Sequence, residues 1–171
     1  MALTGHTSGK VPYSPSGVNA VAFSADSMLI ASAADDTTIR VWNATTGDEV
    51  QVLRGHEAQV TNVVFSPCGK RIASSSVDGT VRIWEWQASR LVFALRGHNR
   101  SVLRLAIGSG GNTLISGGLD GTIRFWDVNI GVATGSINAH LAPVTALTCL
   151  PDMNILASAD TDGSVKIWRS I

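Results

Sequence analysis

The sequence predicts an all-β chain in which one four-stranded antiparallel sheet is copied four times. Three observations carry this. Trp42, Trp84, Trp126 and Trp168 stand 42 residues apart, and Asp36, Asp78, Asp120, Asp162 and Ser32, Ser74, Ser116, Ser158 keep the same interval. A period in the low forties, running through nearly all 171 residues, marks one supersecondary unit set side by side. The segments between turns are short, rich in β-branched and aromatic residues, and carry no helical period.

The elements of each unit follow in a fixed order. First comes an apolar-alternating strand: VNAVAFS (18–24), VTNVVFS (60–66), VLRLAIG (102–108) and VTALTCL (144–150). A turn follows (ADSM, PCGK, SGGN, PDMN), then a strand of small residues (LIASAA, RIASSS, TLISGG, ILASAD). Small side chains suit strands crowded near a central axis. A tight turn at Asp36-Thr37, Asp78-Gly79, Asp120-Gly121 and Asp162-Gly163 leads to a third strand that ends at the tryptophan. A weaker fourth strand (DEVQVLR, RLVFALR, VATGSIN) leads onward. One such sheet cannot bury both of its faces, and stacking against neighbours solves that.

Composition narrows the function. Thirteen basic residues balance thirteen acidic ones, so no electrostatic footprint for nucleic acid or an anionic membrane exists. No apolar run reaches membrane-spanning length, and MALTGHTSGK reads as no signal peptide. Cys68 and Cys149 sit at unrelated places in the repeat, and no CxxC or Cys/His cluster offers a metal site. The expectation is two free thiols in a reducing, cytoplasmic or nuclear setting, with no cofactor and no metal.

Gly5-His6, Gly55-His56 and Gly97-His98 precede the units, with Ala139-His140 as a degenerate fourth, and Trp42, Trp84 and Trp126 each stand 14 residues before the next histidine. A Gly-His pair, a strand, a strand with Ser, a turn with Asp and a strand ending in Trp together resemble the WD40 repeat of β-propellers. The resemblance spans about 168 of 171 residues (four periods of 42). The naming dipeptide survives only at Trp126-Asp127; Trp42-Asn43, Trp84-Glu85 and Trp168-Arg169 depart from it. The resemblance implies one WD40 domain over 1–171 with repeats at about 5–54, 55–96, 97–138 and 139–171.

It also implies that Ser, His and Asp are structural. A catalytic triad needs one copy in a cleft, whereas this set recurs at fixed spacing. In the family, indole N–H donates to Ser, Ser to His, and His to Asp, an order that suits the donor and acceptor capacity of each group. By position the sets are His6, Ser32, Asp36, Trp42; His56, Ser74, Asp78, Trp84; His98, Ser116, Asp120, Trp126; and His140, Ser158, Asp162, Trp168. His6 precedes its strand by eight extra residues, expected to form a bulging loop at 9–16.

MALTGH compares with QVLRGH at 51–56 and FALRGH at 93–98, so residues 1–4 read as an outer strand that closes a last blade. Four blades are few for a ring of this kind. Two chains exchanging N-terminal strands to give an eight-bladed homodimer, a piece of a longer array, and a four-bladed ring are the alternatives. The family's function implies a non-enzymatic scaffold for protein or peptide partners, or alternatively a regulatory module split from a larger nucleotide-binding switch protein. The implied partner face holds Gly17, Asn19 and Asp35; Gln59, Thr61 and Val77; Ser101, Leu103 and Leu119; and Pro143, Thr145 and Thr161. That set is neutral and partly apolar, with no arginine cluster or aromatic cage; Arg100 and Arg104 read as solvated charges. Trp86, off the period, belongs either on the rim or packed under the following loop.

Overall fold

Alternating apolar residues between Asp- and Gly-bearing turns fold into four antiparallel sheets. The computed structural model describes residues 1–7, 17–108, 110–150 and 154–169. Sheet 1 contains β1 (Val18–Phe23), β2 (Leu29–Ala34), β3 (Ile39–Asn43) and β4 (Glu49–Leu53). Sheet 2 contains β5 (Val60–Phe65), β6 (Ile72–Ser76), β7 (Val81–Glu85) and β8 (Arg90–Leu95). Sheet 3 contains β9 (Val102–Ile107), β10 (Thr113–Gly118), β11 (Thr122–Asp127) and β12 (Val132–Asn138). Sheet 4 contains β13 (Val144–Cys149), β14 (Ile155–Asp160) and β15 (Val165–Arg169), three strands among the described residues. Consecutive strands pair within each sheet, as the repeat requires.

Within one chain sheet 4 thus has three of the four strands expected of it, and residues 1–4 do not supply the fourth. Residues 1–7 form no strand within their own chain. The cause is the anchoring of His6, which bonds Ser32 and Asp36 of sheet 1. Met1 then lies against the Gly47 turn of the same sheet, away from the free edge of β15. The loop expected at 9–16 lies outside the described residues.

The first strands pack in a row, β1 on β5, β5 on β9 and β9 on β13. Three apolar clusters fill the three junctions. The small-residue strands sit where crowding is greatest, and every residue of β6 is buried. A Cβ on Gly117 would stand 2.6 Å from Val144 Cγ1, so glycine permits the close approach of sheet 4 seen there. In the tight turns, Gly79, Gly121 and Gly163 take φ of 81°, 75° and 84°, where Thr37 takes 70° at the expense of β-branched strain.

Each first strand also carries a bulge. Pairing skips Asn19, Thr61, Leu103 and Thr145, again 42 residues apart. A bulge re-aims one side chain out of the regular alternation.

The two ends of the row are bare. Val63 is 2% exposed, but Val21, its counterpart in sheet 1, is 68% exposed, and Phe23 is exposed where Phe65 is buried. At the other end Ile167 is 64% exposed, whereas Ile83, its counterpart, is 0% exposed. The same residue types are buried wherever a neighbouring sheet covers them.

Trp86 begins a single turn of 3-10 helix (Trp86–Ala88) and is buried. Its Nε1–H donates to the Gly69 carbonyl at 2.8 Å, and the ring meets Phe65 edge-on at 6.4 Å. It packs inside rather than presenting a rim contact. Cys68 is exposed and Cys149 half-buried, both free.

Candidate interaction face

Four hydrogen-bond chains fix the loops that enter the sheets. In sheet 2, Trp84 Nε1–H donates to Ser74 Oγ at 2.9 Å, Ser74 Oγ lies 2.8 Å from His56 Nε2, and His56 Nδ1 lies 2.7 Å from Asp78 Oδ2. Indole can only donate, so the Ser74 hydrogen goes to Nε2 and the ring proton sits on Nδ1. Trp42, Ser32, His6 and Asp36 repeat the geometry at 2.8, 2.7 and 3.0 Å. Trp126, Ser116, His98 and Asp120 repeat it at 2.8, 2.7 and 3.1 Å.

Burial pushes the His56 and His98 imidazoles below their ordinary pKa, and Asp78 and Asp120 oppose this only in part. Neutral imidazole is therefore the form that completes the chain. Burial also pushes the Asp78 carboxyl up, but hydrogen bonds from His56 and Thr80 outweigh it and hold the group well below the carboxylate range.

A fifth member escaped the sequence reading. The hydroxyls of Thr38, Thr80 and Thr122 donate to the turn aspartates at 2.6, 2.6 and 2.7 Å. The main-chain N–H of the residue after each histidine (Thr7, Glu57, Asn99) donates to the same carboxylates. The three threonines share the 42-residue period, and that was the available signal.

Sheet 4 corrects the fourth set. Trp168, Ser158 and His140 are joined at 2.9 and 2.7 Å, but the carboxylate 2.7 Å from His140 Nδ1 is Asp160, not Asp162. Asp160 occupies the position of Gly118, where a Cβ would lie 2.5 Å from His98 Nδ1 and 2.6 Å from Asp120 Oδ1. A side chain there points straight at the histidine. Asp160 thus takes the site, and Asp162 is left exposed in the turn.

The glycine of each Gly-His pair has a steric cause. A Cβ on Gly97 would stand 2.9 Å from Arg124 Nη1 and 3.2 Å from Trp126 Cη2; Gly55 meets Arg82 and Trp84 in the same way. Sheet 4 has Ala139 in place of glycine, and it also has Lys166 in place of arginine. The thinner Lys166 chain leaves room and donates from Nζ to the Ala139 carbonyl at 2.7 Å.

The expected face positions come together in pairs at one end of the sheets. Asp35, Val77, Leu119 and Thr161 each donate a main-chain N–H to the carbonyl of Gly17, Gln59, Ser101 and Pro143, at 2.8 to 3.1 Å. The bulge residues stand beside them. Asp35 is not available to a partner: its carboxylate is buried and accepts from Gly17 N–H at 3.1 Å and Asn19 Nδ2 at 2.8 Å. Asn19 and Thr61 also stitch neighbouring sheets, donating to the carbonyls of Val60 and Val102 at 2.9 and 2.5 Å. Leu103, half-buried, makes no such link. Arg104 turns back to the Leu103 carbonyl at 2.8 Å. Among the described residues no group of His, Cys, Asp and Glu could hold a metal ion, and no helix is long and apolar enough to cross a membrane.

The family model for the WD domain, G-beta repeat, matches residues 1–43, 47–85, 89–127 and 131–169. The chain belongs to the WD40 repeat family. The last three WD40 matches open just before β4, β8 and β12 and close just after the tryptophan, and the first opens at residue 1. The crystal structure of the computationally designed Ika4 protein is similar at 32% identity and a TM-score of 0.79, over 97% of this chain and 99% of that chain. The crystal structure of the computationally designed Ika8 protein is similar at 34% identity and a TM-score of 0.77, over 89% of this chain and 45% of that chain. The match thus spans under half the length of the Ika8 chain. No curated protein matches the chain.

Two stability predictions follow from the WD40 geometry. Asp160→Asn lowers unfolding free energy by about 1–3 kcal/mol, because an amide keeps one acceptor oxygen where the carboxylate uses Oδ2 for His140 and Oδ1 for the Asp162 and Ser164 N–H groups. Asp162→Asn stays within about 0.5 kcal/mol of the parent. Urea unfolding of both variants checks this, and the reverse ranking would return the role to Asp162. Gly97→Ala lowers stability by about 1 kcal/mol through overpacking. Adding Arg124→Lys recovers at least half of that, a coupling of about 0.5 kcal/mol in a double-mutant cycle. Strict additivity of the two changes refutes the proposed clash.

Proposed function

We propose that this WD40 chain is a non-enzymatic scaffold that holds protein or peptide partners on the face formed by its bulge and turn residues. In this reading Asn19, Gln59, Thr61, Val77, Ser101, Leu103, Leu119, Thr145 and Thr161 supply the contacts, and the working form is a ring closed by two copies in the cytoplasm or nucleus. Two free cysteines fit such a reducing setting.

The bare ends of the row carry the ring. Val18, Val21 and Phe23 offer on sheet 1 what Val60, Val63 and Phe65 bury on sheet 2. Val165 and Ile167 offer on sheet 4 what Ile39, Val41, Val81 and Ile83 bury elsewhere. Each face has its partner's shape built into the same chain, so a second copy is the occupant that fits. An apolar hollow of about 240 Å³ on sheet 4, walled by Ala146, Leu147, Ala157, Ala159 and Val165, lies where the partner's β1 would pack. The match to 45% of the Ika8 chain supports an arc that a second arc of equal length completes.

Residues 1–4 fit the open edge of β15. Ile39 pairs with Leu53, Val81 with Leu95 and Ile123 with Ile137, and each outer residue stands three before a histidine. Leu3 stands three before His6, which sets it opposite the partner's Val165.

Two measurements test the reading. Light scattering gives a mass of twice 17.9 kDa for the parent, and Val21→Glu with Ile167→Glu gives a single chain. Burial of each such side chain is worth about 1.5–3 kcal/mol, so two charges at each junction suffice to open it. A parent mass of one chain sinks the dimer. For the face, Leu103→Glu with Leu119→Glu abolishes capture of partners while leaving the dimer mass and unfolding curve intact. Unchanged partners refute the face.

A further inference from the structure

Between sheets 2 and 3 a cavity of about 380 Å³ opens beside the His98 loop, with Arg96, Asn99, Arg100, Ser101, Val77 and Leu119 in its walls. Arg96 and Arg100 are exposed, and neither has an ion-pair or hydrogen-bond partner among the described residues. Several other arginines are engaged, although Arg54, one period before Arg96, is exposed and has no side-chain partner among the described residues. Arg40 pairs with Glu49, Arg90 with Glu85, and Arg71 donates to the Val128 carbonyl.

The two guanidiniums flank a loop that cannot move away. His98 is tied to Ser116 and Asp120, and Asn99 N–H donates to Asp120 at 3.0 Å. Leu119 N–H donates to Ser101 O at 2.8 Å, which fixes the opposite wall. The pair also breaks the repeat. One period earlier the same positions hold Arg54 and Ala58, and one period later Asn138 and Ala142. Arg96 recurs as Arg54, but Arg100 has no counterpart, so the pair occurs at one junction only.

We propose that this cavity binds a carboxylate side chain of a partner peptide, clamped between Arg96 and Arg100, with an adjacent aliphatic side chain resting on Val77 and Leu119. The proposal rests on the interaction-scaffold reading and names the chemistry of its partner. Two forked donors suit a planar carboxylate, and Val77 is 40% exposed beside them. A monoanion fits better than a phosphate dianion, because the wall also carries Asp78, ionised and bonded to His56 and Thr80.

The test is fluorescence anisotropy on the purified full chain at low salt. The probe is a labelled hexapeptide alternating glutamate and leucine, run against versions with lysine or phosphoserine in place of glutamate. The glutamate peptide binds at least tenfold tighter than the lysine peptide and tighter than the phosphoserine one. Arg96→Glu with Arg100→Glu weakens it at least tenfold, with mass and unfolding curve unchanged. Equal binding of the lysine peptide, or undiminished binding by the double variant, overturns the site. A preference for phosphoserine overturns the carboxylate assignment. If the glutamate peptide fails while Leu103-dependent partners persist, the cavity proposal falls and the scaffold reading stands.

Discussion

A small twisted sheet with two apolar faces cannot cover either face by itself, and every other feature of this chain follows from that. Three junctions between four sheets solve the problem internally, and each is filled by an apolar cluster. Junctions demand close approach, which explains why the second strand of each sheet holds Ser, Ala and Gly. A larger residue at Gly117 would meet Val144 before the sheets could touch. The constraint is unmet only at the two ends, where Val21, Phe23, Val165 and Ile167 face outward. Those side chains would be costly ornaments on an isolated arc, at about 25 cal/mol for each Å² of apolar surface left wet.

Stacking alone would leave the connecting loops free, and the Trp–Ser–His–Asp chains remove that freedom. Each chain crosses from the third strand through the second to the incoming loop, so it ties three segments of one blade. A single bond contributes about 1 kcal/mol net, against a total stability of about 5–15 kcal/mol for a domain. The larger effect is directional. With His98 and Asn99 both held on Asp120, the arginines on either side of them are presented at fixed positions. The same device that stabilises the blade therefore builds a rigid rim, and rigid rims lose less entropy on binding.

How much of this could be read from the chain depends on whether a feature repeats. The strands, the turns and the Ser, Trp and turn-Asp positions repeat at 42 residues, and the resemblance to the WD40 repeat joined them to histidines, including His6, which lies eight residues off the period. The threonines at 38, 80 and 122 repeat too and were there to be found. Asp160 was not, because the substitution moves the carboxylate two residues along the chain while His140 keeps its bond. Only backbone geometry shows that the Gly118 position aims its Cβ at the ring. Likewise Asp35 looked like a face residue by position, and its burial depends on a bulge at Asn19 that no propensity announces. The likeness of MALTGH to QVLRGH suggests an outer strand but cannot say which chain's sheet it joins; within one chain residues 1–7 pair with no strand.

Repetition also divides structure from function. A propeller blade needs the same residues in every copy, so whatever recurs answers to the fold. What departs from the repeat has two sources. Some departures compensate one another, as Lys166 does for Ala139, and these remain structural. Others have no counterpart inside the molecule. Leu103 stands where Asn19 and Thr61 bridge two sheets, yet it bridges nothing, and Arg96 with Arg100 flank a cavity whose one acid, Asp78, is taken up by His56 and Thr80. Both lie at sheets 2 and 3, in the middle of the row, where neither end face intrudes. The proposed scaffold role accounts for an unbridged leucine and two exposed guanidiniums on one pinned rim.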